Sequence, residues 1–276
     1  MGERVLSQVE GSWGGYHPQK DRLRGEIWQR LKQEGVAVGD PVDRIPNFVG
    51  AGEAAVKLAS LDVWQQAKTV KCNPDSPQIP VRLRALQEGK RLYMAVPRLT
   101  DARCFVELTA EGLQEKQIPL EQAAIRGAIP AGIARYALSY GRLVSFAQMQ
   151  PIDLAVVGCV AVAHNGGRTG KGAGFADLEL AMLRMLGLVQ ATTPIVTTVH
   201  PLQIVADEDL PLQPHDWLLS WVVTAQEAIA ISPTRPQPTG LDWDTIRPEQ
   251  YQRIPILQQL RRDSISGFGS KDFPGN

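Results

Sequence analysis

Cysteine is nearly missing from this chain. Cys72, Cys104 and Cys159 form an odd, widely spaced set without metal-ligand spacing, which argues against a disulfide scaffold and for buried reduced thiols in a reducing compartment. An excess of one charge is missing too. The 29 basic and 29 acidic residues cancel to a formal net charge of +0, so no global field draws the molecule to nucleic acid or an anionic membrane. There is no aromatic RNP motif either, which leaves an RNA-binding role without support. No apolar run is long enough to span a bilayer, and the N-terminus has no signal-peptide core. A cytoplasmic protein without a membrane partner is expected. No internal repeat or heptad array occurs. What remains, at 43% hydrophobic and 21% charged residues, is a globular chain able to bury a sizeable core.

The order of elements points to α/β. Residues 1–17 are polar and glycine-rich and read as a leader segment. From Pro18, the stripe Leu23, Ile27, Leu31 predicts a helix that Gly35 ends. Helices over Gly52–Ser60 and Leu61–Gln66 precede a strand over Ala67–Cys72, a turn at Asn73–Pro77, a helix over Val81–Gln87 and a strand over Arg91–Val96 ending at Pro97. Cys104–Leu108 adds a short strand, and Pro119–Gln150 is mixed, with a loop at Ile129–Gly132 and Tyr136 and Tyr140 as core aromatics. A buried strand over Leu154–Val162 leads to the glycine-rich stretch and a helix from about Phe175. Strands follow over Pro194–Val199 and Trp217–Thr224. Strands alternating with helices imply a largely parallel sheet with flanking helices. The proline-rich Ser232–Pro238 marks the end of a domain over 18–232, leaving 233–276 as a tail with a short helix over Pro248–Arg262 and a disordered close.

The centre of interest is the strand, the glycine loop Asn165–Gly174 and the helix after it. That order builds an anion site: glycines admit a phosphate to the backbone N–H groups, the helix N-terminus adds partial positive charge, and Arg168 and Lys171 add full charges. It is not a Walker A loop, because Asn165 stands five residues before Gly170 and Gly172 follows Lys171 where Ser or Thr is required. The spacing also fails the dinucleotide fingerprint. Asp177 in the first helical turn is favoured by the dipole in any case, and beside a phosphate it is placed to hold Mg²⁺; Asp216, after a proline-rich turn, can supply a second carboxylate. Lys20 and Arg24 stand four apart on one helical face. His164 and His200 have no partner by spacing, so neither a triad nor a zinc site is indicated.

Taken in order, these motifs resemble the 5-formyltetrahydrofolate cyclo-ligase family, and more closely its divergent branch, the methenyltetrahydrofolate synthase domain-containing proteins. The resemblance covers about 20–224. It rests on Lys20-x-x-Leu23-Arg24, Gly89-Lys90 before a strand ending Pro97-Arg98, Pro151–Leu154, Gly167–Asp177, and Leu210-Pro211 through His215-Asp216. It implies an α/β fold of the NagB/RpiA/CoA-transferase-like type and an ATP- and Mg²⁺-dependent conversion of 5-formyltetrahydrofolate to 5,10-methenyltetrahydrofolate. It further implies that Lys20 and Arg24 contact ATP, that Gly167, Arg168, Gly170, Lys171, Gly172, Gly174 and Phe175 cradle its phosphates with Arg168 and Lys171 assisting transfer, and that Asp177 and Asp216 bind Mg²⁺. Phosphoryl transfer needs positioning and charge neutralisation more than an acid-base pair.

The chain departs from the family pattern in its substrate half. Where cyclo-ligases carry Gly-Lys-Gly-Tyr-Tyr-Asp, this chain has Gly172-Ala173-Gly174-Phe175-Ala176-Asp177, lacking one lysine and two tyrosine hydroxyls. The family's substrate-contacting glutamate aligns near Pro77, with Asp75 the nearest carboxylate, and Gln213 and Ser220 stand where acidic residues are common. The alternative reading keeps the nucleotide site and exchanges the folate for another pterin-like or thiamine-related ligand.

Overall fold

The computed structural model describes residues 17–96, 99, 103–126 and 140–265. Pro97, Arg98, Ile129–Gly132, Tyr136, the leader up to residue 16 and the close from residue 266 lie outside the described residues. In chain order the elements are α1 (Pro18–Gln33), α2 (Ala51–Ala59), α3 (Asp62–Gln65), β1 (Thr69–Cys72), α4 (Ile79–Gln87), β2 (Arg91–Ala95), β3 (Phe105–Leu108), α5 (Ala110–Glu115), α6 (Leu120–Arg126), β4 (Arg142–Val144) and β5 (Leu154–Val156). Then come β6 (Ala161–Ala163), β7 (Arg168–Thr169), α7 (Phe175–Met185), β8 (Ile195–Thr198), β9 (Ile204–Val205), β10 (Trp221–Val223), β11 (Ala228–Ala230), α8 (Pro248–Arg253) and α9 (Pro255–Ile265).

An eight-stranded sheet in the order β11-β10-β8-β5-β1-β2-β3-β4 runs through the molecule. Its centre, from β10 to β2, is parallel, and the edges β3, β4 and β11 are antiparallel. This is the expected α/β architecture. The central strands carry apolar residues on both faces because both are covered. One face, with Val70, Leu92, Leu154 and Val196, packs on α2, α4 and α6 through Leu58, Ala85, Leu86 and Ala123. The other, with Tyr93, Ala155 and Ile195, packs on α7 through Leu180, Met182 and Leu183. A small sheet, β7-β6-β9, forms a third layer, on which α1 lays Leu23, Ile27 and Leu31.

The run Leu154–Val162 is not one strand. Its first three residues are β5 in the large sheet and its last two begin β6 in the small one, with a bend between them. The buried Gln203 satisfies that bend, its Nε2 donating to the Cys159 and Val160 carbonyls at 2.9 and 3.1 Å. An uninterrupted apolar run reads the same whether it stays in one sheet or changes sheets. Gly166 and Gly167 turn the β6-β7 hairpin, where Ala163 N donates to the Gly167 carbonyl at 2.9 Å, so only residues 170–174 form the loop before α7. Of the expected strand Trp217–Thr224, only β10 pairs in the sheet, since the Leu218 amide donates to Gln237 Oε1 and the Leu219 amide to the Gly166 carbonyl.

Beyond the proline-rich stretch the chain stays on the same core. Ile254, Leu257 and Leu260 are buried in the α7-side cluster, and Leu241, Trp243, Ile246 and Tyr251 pack against it. The expected helix over Pro248–Arg262 is two helices, α8 and α9, separated at Ile254, where Pro255 starts the second.

Candidate functional site

Along the large sheet, β1 leads to β2 on one side while β5 returns to its other side. Connections leaving in opposite directions open a crevice beyond the carboxyl ends of β1 and β5, where open α/β sheets bind ligands. The loop after β1 carries Asn73, Asp75 and Gln78; the bend after β5 carries Gly158. The loop before α7 reaches this crevice, since Lys171 Nζ donates to Asp75 Oδ1 at 3.1 Å.

Four cationic side chains foreseen from the sequence are placed as follows. Lys20 and Arg24, on α1, are buried rather than solvated. Lys20 Nζ donates to Asp216 Oδ2 at 2.5 Å, and Arg24 Nη1 to Thr169 Oγ1 at 2.7 Å, while its Nη2 pairs with Asp21. Arg168 Nη2 donates to Asp177 Oδ1 at 2.5 Å, and the same oxygen accepts the Trp217 amide at 3.1 Å. Asp216 Oδ2 also accepts the Gln213 amide at 2.7 Å. Since Asp216 precedes Trp217, the two carboxylates and the three cations Lys20, Arg24 and Arg168 belong to one cluster built from α1, β7, α7 and the turn before residue 217. Burial alone would lower the Arg168 pKa; Asp177 above all, then Cys159, Asp216 and Glu179, outweigh it and raise it. Arg168 therefore stays charged, with its Nε buried and without a partner.

Lys171 stands apart from that cluster, its side chain half exposed and turned to Asp75. The start of α7 has the features of an anion site. Gly174 is left-handed at φ +71° and caps α7 without a side-chain hydrogen bond, and Gly172 sits at φ +105°. Both angles favour glycine. A Cβ on Gly170 would meet nothing within 4 Å, so the loop is open there. Gly167 is not part of this opening: its Cβ would lie 2.9 Å from Leu212 Cδ2 and from Asn165 Oδ1. Phe175 packs against the core below α7. His215 is 4.0 Å from Asp216 Oδ1, His200 caps a 3-10 turn, and His164 is exposed.

Sequence reading missed the buttresses. Arg247 Nη2 and Gln250 Nε2 donate to the Ala173 carbonyl at 2.9 and 3.1 Å, and Arg235 Nη2 donates to the carbonyls of Gln213 and Asp216 at 2.8 and 2.7 Å. Also unforeseen is the buried ion pair of Lys71 Nζ and Glu179 Oε2, 2.5 Å apart, which ties β1 to α7. Only Lys71 carried a signal, as a charge inside an apolar strand.

A model of the 5-formyltetrahydrofolate cyclo-ligase family matches residues 17–225. The chain belongs to this family. Methenyltetrahydrofolate synthase domain-containing proteins are similar to it: that of Mus musculus is 36% identical over 266 residues, covering 93% of this chain and 68% of the mouse protein. That of Homo sapiens is 36% identical over 248 residues, covering 88% and 61%, and that of Danio rerio 33% over 272 residues, covering 93% and 63%. The chain thus spans about three fifths to two thirds of these relatives' length. Among solved structures, the 5,10-methenyltetrahydrofolate synthetase of Aquifex aeolicus overlays with a TM-score of 0.47 at 18% identity, over 79% of this chain and 96% of that one. Among the described residues no helix is long and apolar enough to cross a membrane, and no group of three or more His, Cys, Asp or Glu is arranged to hold a metal.

Proposed function

We propose that this cyclo-ligase family member binds ATP at the start of α7 and uses it to close the ring of 5-formyltetrahydrofolate to 5,10-methenyltetrahydrofolate. One observation carries this reading: Lys20–Asp216, Arg24–Thr169 and Arg168–Asp177 converge from separate segments beside a helix N-terminus that no side chain caps. That arrangement suits a polyphosphate. Backbone N–H groups of residues 172–176 would meet phosphate oxygens, and Arg168 and Lys171 would neutralise the charge that develops during transfer. Lys20 and Arg24, held at fixed positions by their partners, would orient the nucleotide.

The donor set also fits Mg²⁺. Asp177 makes its protein contacts through Oδ1, leaving Oδ2 for a metal, and two carboxylates completed by phosphate oxygens and water are an ordinary Mg²⁺ complement. Bound there, the ion would supply charge neutralisation to the phosphates. In the reaction the formyl oxygen takes the γ-phosphoryl group of ATP and releases ADP. N10 then attacks the activated formyl carbon and loses its proton to solvent, and phosphate leaves with that oxygen. This chain's part is to hold the two substrates in line, with Asp75, at the switch point, as the carboxylate nearest the folate.

Purified protein given ATP, Mg²⁺ and 5-formyltetrahydrofolate should develop methenyl-folate absorbance. No rise above background at high protein concentration would overturn the reaction. Arg24→Ala and Asp177→Ala should each weaken ATP-dependent thermal stabilisation, and an unchanged response in both would overturn the nucleotide site itself. A second reading, a nucleotide-dependent protein for another pterin-like or thiamine-related ligand, draws on the loop. The Ala173 carbonyl is occupied by Arg247 and Gln250, and Ala176 stands where the family has a tyrosine.

A further inference from the structure

Ala173 lies between two glycines of positive φ, Gly172 at +105° and Gly174 at +71°. Its peptide bond to Gly174 is trans, so the Ala173 carbonyl and the Gly174 N–H point in opposite directions. The peptide plane after Gly174 is fixed by the helix, because the Gly174 carbonyl accepts the Leu178 amide at 3.0 Å. The plane before it is not. Turning that plane over changes ψ of Ala173 and φ of Gly174, and glycine takes either sign of φ at little cost. The loop backbone alone thus allows two states, one presenting an N–H on the side of the loop away from α8 and one presenting a carbonyl oxygen there. An anion binds the first and is repelled by the second.

The C-terminal segment selects between them. Arg247 Nη2 and Gln250 Nε2 both donate to the Ala173 carbonyl, at 2.9 and 3.1 Å, which matches its two lone pairs. Gln250 is buried and its amide is oriented: Oε1 accepts the Arg247 amide at 3.1 Å, which leaves Nε2 for Ala173. A Cβ on Gly174 would stand 3.7 Å from that Nε2, so the side chain lies along the peptide it holds. Beside this loop, the buried Arg168, with its Nε unpartnered, meets the first turn of α7 through Asp177.

We propose that Arg247 and Gln250 are positioning residues for nucleotide binding: by holding the Ala173 carbonyl they keep the Gly174 N–H turned to a phosphate oxygen. Each acts through the peptide plane rather than through contact with the nucleotide. This role rests on the reading of the loop before α7 as the ATP-phosphate site.

The test follows the Gly174 amide resonance and the ATP affinity of the full chain in the presence of Mg²⁺. In wild type, ATP should move the Gly174 amide proton downfield as a charge-assisted hydrogen bond forms. Gln250→Met keeps the bulk and changes no charge, so a loss there is not one of long-range attraction; Arg247→Met removes the other donor. Each should weaken ATP about three- to tenfold, and the two together about ten- to a hundredfold, with the downfield shift lost. Wild-type ATP affinity in the double variant overturns the proposal and leaves the nucleotide site standing. So does weakened affinity with the Gly174 shift intact, which marks a brace that only stabilises the fold, and so does ATP binding by wild type without a shift at Gly174. No ATP response in wild type overturns the nucleotide site itself and the positioning role with it. Where the double variant does not fold, Gln250→Met alone decides, and unchanged affinity with an unchanged shift overturns the proposal.

Discussion

Replacing Lys71 by methionine tests how β1 and α7 are joined. Lys71 Nζ and Glu179 Oε2 are 2.5 Å apart with side chains 0% and 5% exposed, and Lys71 also donates to Asn73 Oδ1 at 2.8 Å. At that separation the gross attraction is about 7 kcal/mol with an effective dielectric of about 20. Taking two ions out of water costs several kcal/mol each, on the order of the same total, so the pair as a whole contributes little net stability. Removing one member is different. Lys71→Met leaves Glu179 buried without its cation and should cost about 3–5 kcal/mol, as should Glu179→Leu, while the double replacement should recover most of the loss. Urea unfolding of the four proteins, with unchanged slopes, measures the coupling. Single variants each within about 1 kcal/mol of wild type, or a double variant as unstable as the sum of the singles, would refute the reasoning.

The remaining expectations are simpler. Gly158→Ala places a Cβ 3.0–3.1 Å from Asp75, Gln78 and Ile45; it should cost about 1–3 kcal/mol in thermal or urea unfolding and impair folate binding more than the ATP response. Gly167→Ala, with contacts of 2.9 Å to Asn165 and Leu212, should lower stability by a similar amount. Gly170→Ala, with open space around it, should be neutral to about 1 kcal/mol stabilising and weaken ATP-dependent stabilisation alone. Burial lowers the His200 pKa below the usual 6.5, and its Nδ1 accepts the Leu202 amide. Its neutral form is therefore favoured on folding, a contribution present above pH 6.5 and lost as pH falls through the lowered value. The difference in melting temperature between wild type and His200→Asn should accordingly shrink on acidification.

The elements with clear periodicity were legible from residues alone: α1 with Leu23, Ile27 and Leu31 buried, α7 beginning at Phe175, and the parallel centre of the sheet. What periodicity could not show was where an apolar run changes sheets. Leu154–Val162 is buried throughout, so the break held by Gln203, forty residues later, left no local mark. The glycines of 165–174 looked equivalent for the same reason. Gly167 is required by the side chains of Leu210 and Leu212, Gly174 by its own backbone angle. Lys20, Arg24, Arg168, Asp177 and Asp216 could be nominated from spacing and resemblance, but their pairing is a property of the tertiary fold. The hold of Arg247 and Gln250 on Ala173 was invisible, because it joins residues 74 and 77 apart in the chain.

The clasp of Arg235, Arg247 and Gln250 on the backbone of residues 173 and 213–216 lies past residue 225, where the family match stops. A stretch inside the family-model match thus draws part of its support from one beyond it. Two family members alike in residues 172–177 can therefore differ in the contacts that brace that loop. Comparing them motif by motif would score as equal two loops with different buttresses.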